Sequence, residues 1–121
     1  MDQSPLLVLI VENDQDSARM LRLLLKRSGY ETRVERDGPA ALLAFKDFRP
    51  RVILLDQTLV GMSGIDVAYE LRSTPEFRGC VLISVSGLGE ESLPSPSPFD
   101  GHFSKPIEHD ALLEFLASTT V

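Results

Sequence analysis

Five polar residues in this chain stand at comparable places, each directly after an apolar run. Asp56 closes Val52-Ile53-Leu54-Leu55, Glu12-Asn13 follows Leu6-Leu7-Val8-Leu9-Ile10-Val11, Ser86 follows the run 81–85, and Lys105 follows the short stretch 101–104. Carboxylates gathered at one rim suit a hard divalent cation, and with few ligands the expected ion is Mg²⁺. A carboxylate is also a nucleophile toward phosphorus and gives an aspartyl phosphate. A cation would neutralise charge on the phosphoryl oxygens. The Ser86 hydroxyl could donate to one of those oxygens and Lys105 could pair with another. Each residue alone has a plainer reading: a helix-capping Asp, a turn Ser, a solvated Lys. Their joint order along the chain is the specific signal.

The elements that must position these groups follow from the pattern. Continuous apolar runs are what strands buried on both faces look like, as in parallel sheets. Residues 17–27 read as a helix with Ala18, Leu21 and Leu25 on one face, Met20 and Leu24 beside them, Asp14 or Asp16 as cap and Gly29 at its end. Tyr30, Thr32 and Val34 alternate with charged residues, which predicts an edge strand. Asp37-Gly38-Pro39 opens a second helix, packed through Ala41, Leu42 and Phe45 and stopped at Pro50. After Asp56, the loop 59–62 leads to Ser63-Gly64 and a helix turning Ile65, Ala68 and Leu71 inward, ended at Thr74-Pro75. Residues 89–92 have room for one helical turn. Leu93-Pro94-Ser95-Pro96-Ser97-Pro98 cannot be helical and is expected extended or PPII-like. A strand at 101–104 and a helix at 108–117, with Ala111, Leu112, Phe115 and Leu116 inward, complete five βα repeats with a damaged fourth helix. That alternation implies a parallel sheet with right-handed crossovers. In such sheets the functional crevice lies at the C-terminal ends of the strands, where these polar residues fall.

The totals bound the reading. A chain of 121 residues suits one domain, residues 1–121, with a short loose lead of five residues. A net charge of −6 argues against nucleic acid as a direct partner. No apolar run approaches ~20 residues, so no membrane insertion is expected. One cysteine, Cys80, excludes an internal disulfide and reads as a small buried hydrophobe; the chain is expected to be cytoplasmic.

The sequence resembles the two-component receiver domain, the phosphoacceptor module of response regulators and hybrid histidine kinases. Its carriers are Val8-Leu9-Ile10-Val11-Glu12-Asn13, Asp37-Gly38-Pro39-Ala40-Ala41-Leu42, Leu55-Asp56 with Gly61-Met62-Ser63-Gly64, Ser84-Val85-Ser86-Gly87, and Phe103-Ser104-Lys105-Pro106. The resemblance implies an α/β, doubly wound, flavodoxin-like fold with five parallel strands in order 2-1-3-4-5. It implies Asp56 as acceptor from a phosphohistidine of a histidine kinase or histidine phosphotransfer protein. Glu12, Asn13, Asp56 and the Thr58 carbonyl would hold Mg²⁺, and Ser86 and Lys105 would bind the phosphoryl oxygens. A receiver of this kind catalyses only its own modification and is not a turnover enzyme. The ending Phe99-Asp100-Gly101-His102-Phe103-Ser104-Lys105-Pro106 is similar to hybrid-kinase receivers, so a stand-alone regulator and a receiver cut from a larger protein are both carried.

Three departures from the family pattern stand out. Asn13 replaces a second acid, which predicts weaker Mg²⁺ binding because an amide brings no charge. The stretch between Ser86 and Lys105 is short and proline-rich, so either output is rerouted or the segment is itself a docking strip, the plainer reading being a tolerated loop replacement; docking is expected through the segment Pro94 to Pro98 or through the last helix. His102 stands where the family has an aromatic that swings on activation, which makes Ser86 and His102 the switch pair. One alternative keeps the fold as a degenerate, phosphorylation-independent docking module. A haloacid-dehalogenase-type phosphatase would need Asp where Thr58 stands. A nucleotide or flavin binder lacks its glycine motifs, Gly87-Leu88-Gly89 alone being weak.

Overall fold

Successive residues of the central strands are buried on opposite faces of one sheet, which is why their sequence shows no alternation. In the computed structural model, which describes residues 6–59, 61–77 and 79–119, Val8, Ile10, Leu54 and Ile83 belong to one core cluster and Leu9, Val11, Ile53, Leu55 and Leu82 to another. The elements run β1 (Leu7–Val11), α1 (Gln15–Arg27), β2 (Glu31–Glu35), α2 (Gly38–Phe48), β3 (Val52–Asp56), α3 (Gly64–Arg72), β4 (Val81–Ser86), β5 (Gly101–Ser104) and α4 (His109–Thr119). The strands pair in parallel in the order β2-β1-β3-β4-β5, as expected. β2 is the edge strand its alternation predicts.

Helices cover both faces. Leu21 and Leu25 of α1 and Leu112 and Leu116 of α4 pack on Val8, Ile10, Leu54 and Ile83. Ala41, Ala44 and Phe45 of α2 and Val67, Ala68 and Leu71 of α3 pack on the other face. The caps follow the sequence: the Asp14 carboxylate accepts the Ser17 N–H, Asp37 the Ala40 N–H and Ser63 the Asp66 N–H. Of the two candidate caps of α1, the structure selects Asp14 and places Asp16 inside the helix.

Several expectations need correction. Met20 lies 56% exposed, because a residue one step before Leu21 is rotated ~100° off the packing face. In α3 Val67 joins Ala68 and Leu71 among the buried positions, while Ile65 is half-buried. α4 starts at His109 and runs to Thr119, with Glu108 capping it by accepting the Ala111 N–H; Ala111 and Phe115 are only partly covered. α3 ends at Arg72, ahead of Thr74, and Pro75 opens a separate 3-10 turn (Pro75–Phe77). The proline-rich stretch is no continuous extended segment: it bends at Leu93, Ser95, Pro96 and Pro98. The lead of residues 1–5, Val60 of the loop after β3 and the last two residues lie outside the described residues.

No α-helix connects β4 to β5. A single 3-10 turn, Glu90–Ser92, stands in its place, as the proline run dictates. Arg72 fastens this connection to the body. Its Nε donates to the Pro98 carbonyl at 2.8 Å, its Nη2 pairs with Asp100 Oδ2 at 2.9 Å, and its guanidinium lies 4.8 Å from the centre of the Phe77 ring. The same Asp100 oxygen accepts the Leu82 N–H at 2.8 Å.

Cys80 is buried as expected, and burial pushes its thiol from an ordinary 9.0 up to about 12. Above pH 9 the unfolded chain would ionise this thiol while the folded chain keeps the proton. Stability should therefore fall as pH rises between 9 and 12, by up to about 1.4 kcal/mol per pH unit. Urea titrations of wild type and Cys80→Ala across that range will show a steeper decline in wild type; parallel slopes would contradict it.

Candidate functional site

The acidic end of β3 meets the acidic end of β1 because the two strands are hydrogen-bonded neighbours in register, Val11 opposite Leu55. Each strand is apolar to its last turn of pleat, so Glu12 and Asp56 arrive at the rim with side chains only 2% exposed. Lys105 reaches them from the segment after β5. Its Nζ donates to Glu12 Oε1 at 2.9 Å and to Asp56 Oδ2 at 3.1 Å, the side chain as a whole being 30% exposed. The other Asp56 oxygen, Oδ1, accepts both the N–H and the hydroxyl of Thr58 at 3.0 Å. Glu12 Oε2 accepts the Asp14 N–H at 3.1 Å.

The two carboxylates are driven apart in acidity. Burial, followed by the hydrogen bond shared with Asp56, holds Glu12 above the usual carboxylate range against the pull of Lys105 and the Asp14 N–H. Burial also pushes Asp56 up, but the hydrogen bonds it shares with Glu12 and takes from Thr58 and Lys105 outweigh it, so Asp56 stays below that range. Burial disfavours the Lys105 ammonium; its two carboxylate partners outweigh this and hold it above its ordinary value. The group biased toward ionisation is thus the one at the tip of the central strand, which is the state a carboxylate nucleophile needs.

Ser86, at the end of β4, is 1% exposed, and its Oγ accepts the Leu88 N–H at 3.0 Å. Its carbonyl accepts the Lys105 N–H at 2.8 Å, tying the two phosphoryl-binding candidates to neighbouring strand ends. Asn13 follows Glu12 at the rim, half-buried, and its carbonyl accepts a long 3.4 Å contact from Arg36 Nη2. Among the described residues, no group of three or more His, Cys, Asp or Glu is arranged to hold a metal, since the set here has two carboxylates and an amide. Glu12, Asp56, Thr58 and Lys105 are therefore in mutual contact, Asn13 and Ser86 flank them, and His102 does not touch the acidic pair. His102 instead sits on Ser84, whose hydroxyl also accepts from Gln57. From the sequence, neither Gln57 nor Ser84 is given a role at the site. The signal for Ser84 was a hydroxyl inside an apolar, fully buried strand, where an unpartnered polar group would be costly.

Residues 8–117 match the model of the response regulator receiver domain. The chain belongs to that family. As a receiver domain it has a phosphoacceptor role in two-component signalling. It is 34% identical over 113 residues to MtrA, a DNA-binding response regulator of Mycobacterium tuberculosis, covering 93% of this chain and 50% of MtrA. The receiver thus spans about half the length of that curated relative. A CheY-like receiver domain from Methylobacillus flagellatus superposes with a TM-score of 0.84 at 29% identity, covering 96% of this chain and 99% of that one. The receiver domain of the Pseudomonas aeruginosa sensor histidine kinase PA1611, solved with a magnesium ion coordinated in its active site cleft, shares the fold at a TM-score of 0.85 and 21% identity, covering 94% of this chain and 96% of that one.

Proposed function

We propose that Asp56 is the phosphoacceptor and that it takes its phosphoryl group from the phosphohistidine of a histidine kinase or histidine phosphotransfer protein. The observation that carries this reading is the Asp56 carboxylate itself: buried, held toward ionisation, and bracketed by Lys105 on one oxygen and Thr58 on the other.

The residues present fit Mg²⁺. Two buried carboxylates face a single ammonium, which leaves an uncompensated negative charge at a site of hard oxygen donors. Glu12, Asn13, Asp56 and the Thr58 carbonyl would hold the ion, which would supply charge neutralisation for the phosphoryl oxygens. The PA1611 receiver carries magnesium in its own cleft. Asp56 attacks phosphorus, the bond from phosphorus to the imidazole nitrogen breaks, and the nitrogen lone pair leaves with the histidine. Lys105 turns from Asp56 to a phosphoryl oxygen, and Ser86 exchanges Leu88 for another. The chain modifies itself once per donor and is not a turnover enzyme. The domain is the single receiver unit of residues 1–121, working in the cytoplasm without direct nucleic-acid contact. Docking runs through the segment 94–98, where Ser95, Pro96 and Ser97 are exposed, or through α4.

The test is intact-mass spectrometry after incubation with acetyl phosphate and Mg²⁺. Wild type will gain one phosphoryl mass and Asp56→Asn none; equal adducts, or none on either, would refute the acceptor assignment. Restoring a charge at Asn13 should tighten Mg²⁺ binding by roughly tenfold, since affinity follows the ligand charge count. Titrating Mg²⁺ into wild type and Asn13→Asp checks this, and equal affinities would remove Asn13 from the site.

A further inference from the structure

Arg19, Arg22 and Arg36 line one open cavity of about 280 Å³ between α1 and the end of β2. Two periods of the sequence bring them together. Positions 19 and 22 lie one turn apart on α1, beside the buried Ala18 and Leu21. Val34 of β2 packs with Leu21 and Leu25 in the core under α1, and by the alternation of the strand residue 36 returns to that same face. Arg33 and Glu35 alternate to the other face and pair with each other at 2.8 Å.

All three cavity arginines are exposed, and no carboxylate balances them. The chain has 18 acidic against 12 basic side chains, so acids are not scarce. Yet among the described residues the ion pairs join Arg33 to Glu35, Arg72 to Asp100 and Lys105 to Glu12 and Asp56, and none reaches Arg19, Arg22 or Arg36. The one acid on the cavity wall, Glu12, is already committed: Oε1 accepts from Lys105 and Oε2 from the Asp14 N–H. Asp14 in turn caps α1 through Ser17. Arg36 has only its long 3.4 Å contact with the Asn13 carbonyl. Like charges one turn apart oppose helix formation, and Arg36 adds a third charge across the gap, so a bound anion would relieve all three. Guanidinium forks match phosphate oxygens two at a time. The cavity falls just below the ~300–1,000 Å³ usual for drug-sized ligands, which suits one or two phosphoryl groups rather than a whole nucleotide. A phosphomonoester carries about −1.5 to −2 at pH 7, and a diphosphate, more highly charged, is the better match for three cations. We infer that this cavity binds a small phosphate-class anion, the diphosphate group of a soluble molecule being the occupant that fits best. Asp56, Thr58, Ser86 and Lys105 do not line it, so the inference stands apart from the acceptor reading.

The test is a titration of the intact chain with inorganic diphosphate, in Mg²⁺-free buffer at constant ionic strength, followed by ¹⁵N shifts of the arginine Nε–H groups and the backbone amides. Arg19, Arg22 and Arg36 will move along one saturable curve, and inorganic phosphate will bind the same residues more weakly. Arg22→Gln and Arg36→Gln will each weaken binding about tenfold, the low end for a charge-assisted hydrogen bond at an exposed site. Lys26→Gln, one turn beyond Arg22 and outside the cavity, will leave binding within about twofold, because salt screens an exposed charge that makes no contact. Shifts that never saturate, or that chloride reproduces, overturn the site. Equal weakening by Lys26→Gln also overturns it, since that would show only a diffuse field. Shifts centred on Thr58, Ser86 and Lys105 would put the anion at the acceptor, overturning this inference while leaving the acceptor reading intact. Phosphatidylserine vesicles that bind the chain through Arg22, with diphosphate failing to bind, would replace the soluble ligand by a membrane surface and overturn it too.

Discussion

Lys105→Met will lose stability and phosphoryl uptake together at neutral pH, and acidification will separate the two losses. Removing the ammonium leaves Glu12 and Asp56 facing each other, each 2% exposed, with no counter-charge. Breaking a fully buried ion pair costs about 3–5 kcal/mol. Lys105 is 30% exposed and one carboxylate can take a proton, so the expected loss at pH 7 is smaller, about 2 kcal/mol. The sign of the pH dependence follows from Glu12, whose acidity is already weakened in the folded state by burial and by Asp56. As pH falls through that raised value, Glu12 becomes neutral and the repulsion in the variant disappears. The deficit relative to wild type therefore narrows on acidification. Asp56 gives wild type its own acid limit, because a depressed carboxylate contributes stability that is lost as pH falls below 3.8. Uptake is another matter. Loss of one charged donor to a developing oxyanion costs roughly 10²–10³-fold in rate. A roughly hundredfold slower uptake from acetyl phosphate should persist at every pH where the variant is folded. Urea titrations at pH 7 and pH 4.5, beside uptake rates at both, check this; a deficit that grows on acidification would show that Lys105 does not compensate the pair.

Gly64→Ala will be the most damaging single-methyl change near the site. Gly64 opens α3, and its N–H donates to the Gln57 carbonyl at 3.1 Å. A Cβ there would stand 2.4 Å from the Asp56 carbonyl oxygen and 2.7 Å from the Gln57 Cα. Both are backbone atoms of the strand end that presents the acceptor, and they cannot rotate away. Alanine gains at most about 1 kcal/mol over glycine in a helix, and less in the first turn. The overlap costs about 3 kcal/mol, so the clash wins. Gly29 makes the useful contrast. A Cβ there meets nothing within 4 Å, and the cost of alanine would come only from its positive φ of 94°. Urea midpoints of the two variants should differ clearly, with Gly64→Ala also slowing phosphoryl uptake; a Gly64→Ala protein as stable as wild type would mean that α3 can slide from β3.

The sequence was most legible where burial is symmetrical. Runs such as Val52 to Leu55 have to be central strands, and their polar endings have to reach the rim, so the sequence alone points to Asp56, Glu12 and Lys105. Helix faces were less legible at their borders. Met20 and Ile65 are apolar residues next to the buried stripe, and residue type alone does not say which side of the border they fall on. The ties across the chain were not legible at all. Arg72 with Asp100, and Gln57 with Ser84 and His102, join residues 18 to 28 apart whose meeting depends on strand order. Even Ser86 was readable only as a residue at the right place. That its hydroxyl is engaged with Leu88 depends on the loop after β4, whose proline-rich sequence excludes a helix without specifying what replaces it.

The helix-free link between β4 and β5 sets an asymmetric tolerance to changes in length. β4 ends at Ser86 and β5 starts at Gly101, which leaves 101 − 86 − 1 = 14 residues for the return. A parallel neighbour requires a return path of about a dozen residues or more. This crossover therefore stands close to the shortest that the topology accepts, and its last part is committed to Arg72. Lengthening it would add only a slowly growing entropic penalty, about 0.6 kcal/mol for each doubling. Shortening it by four or five residues would unpair β5 and withdraw Lys105 from the acidic pair. Guest sequences can enter this loop, but little can be taken out of it, and the proline-rich strip can be probed by replacing its residues but not by excising them.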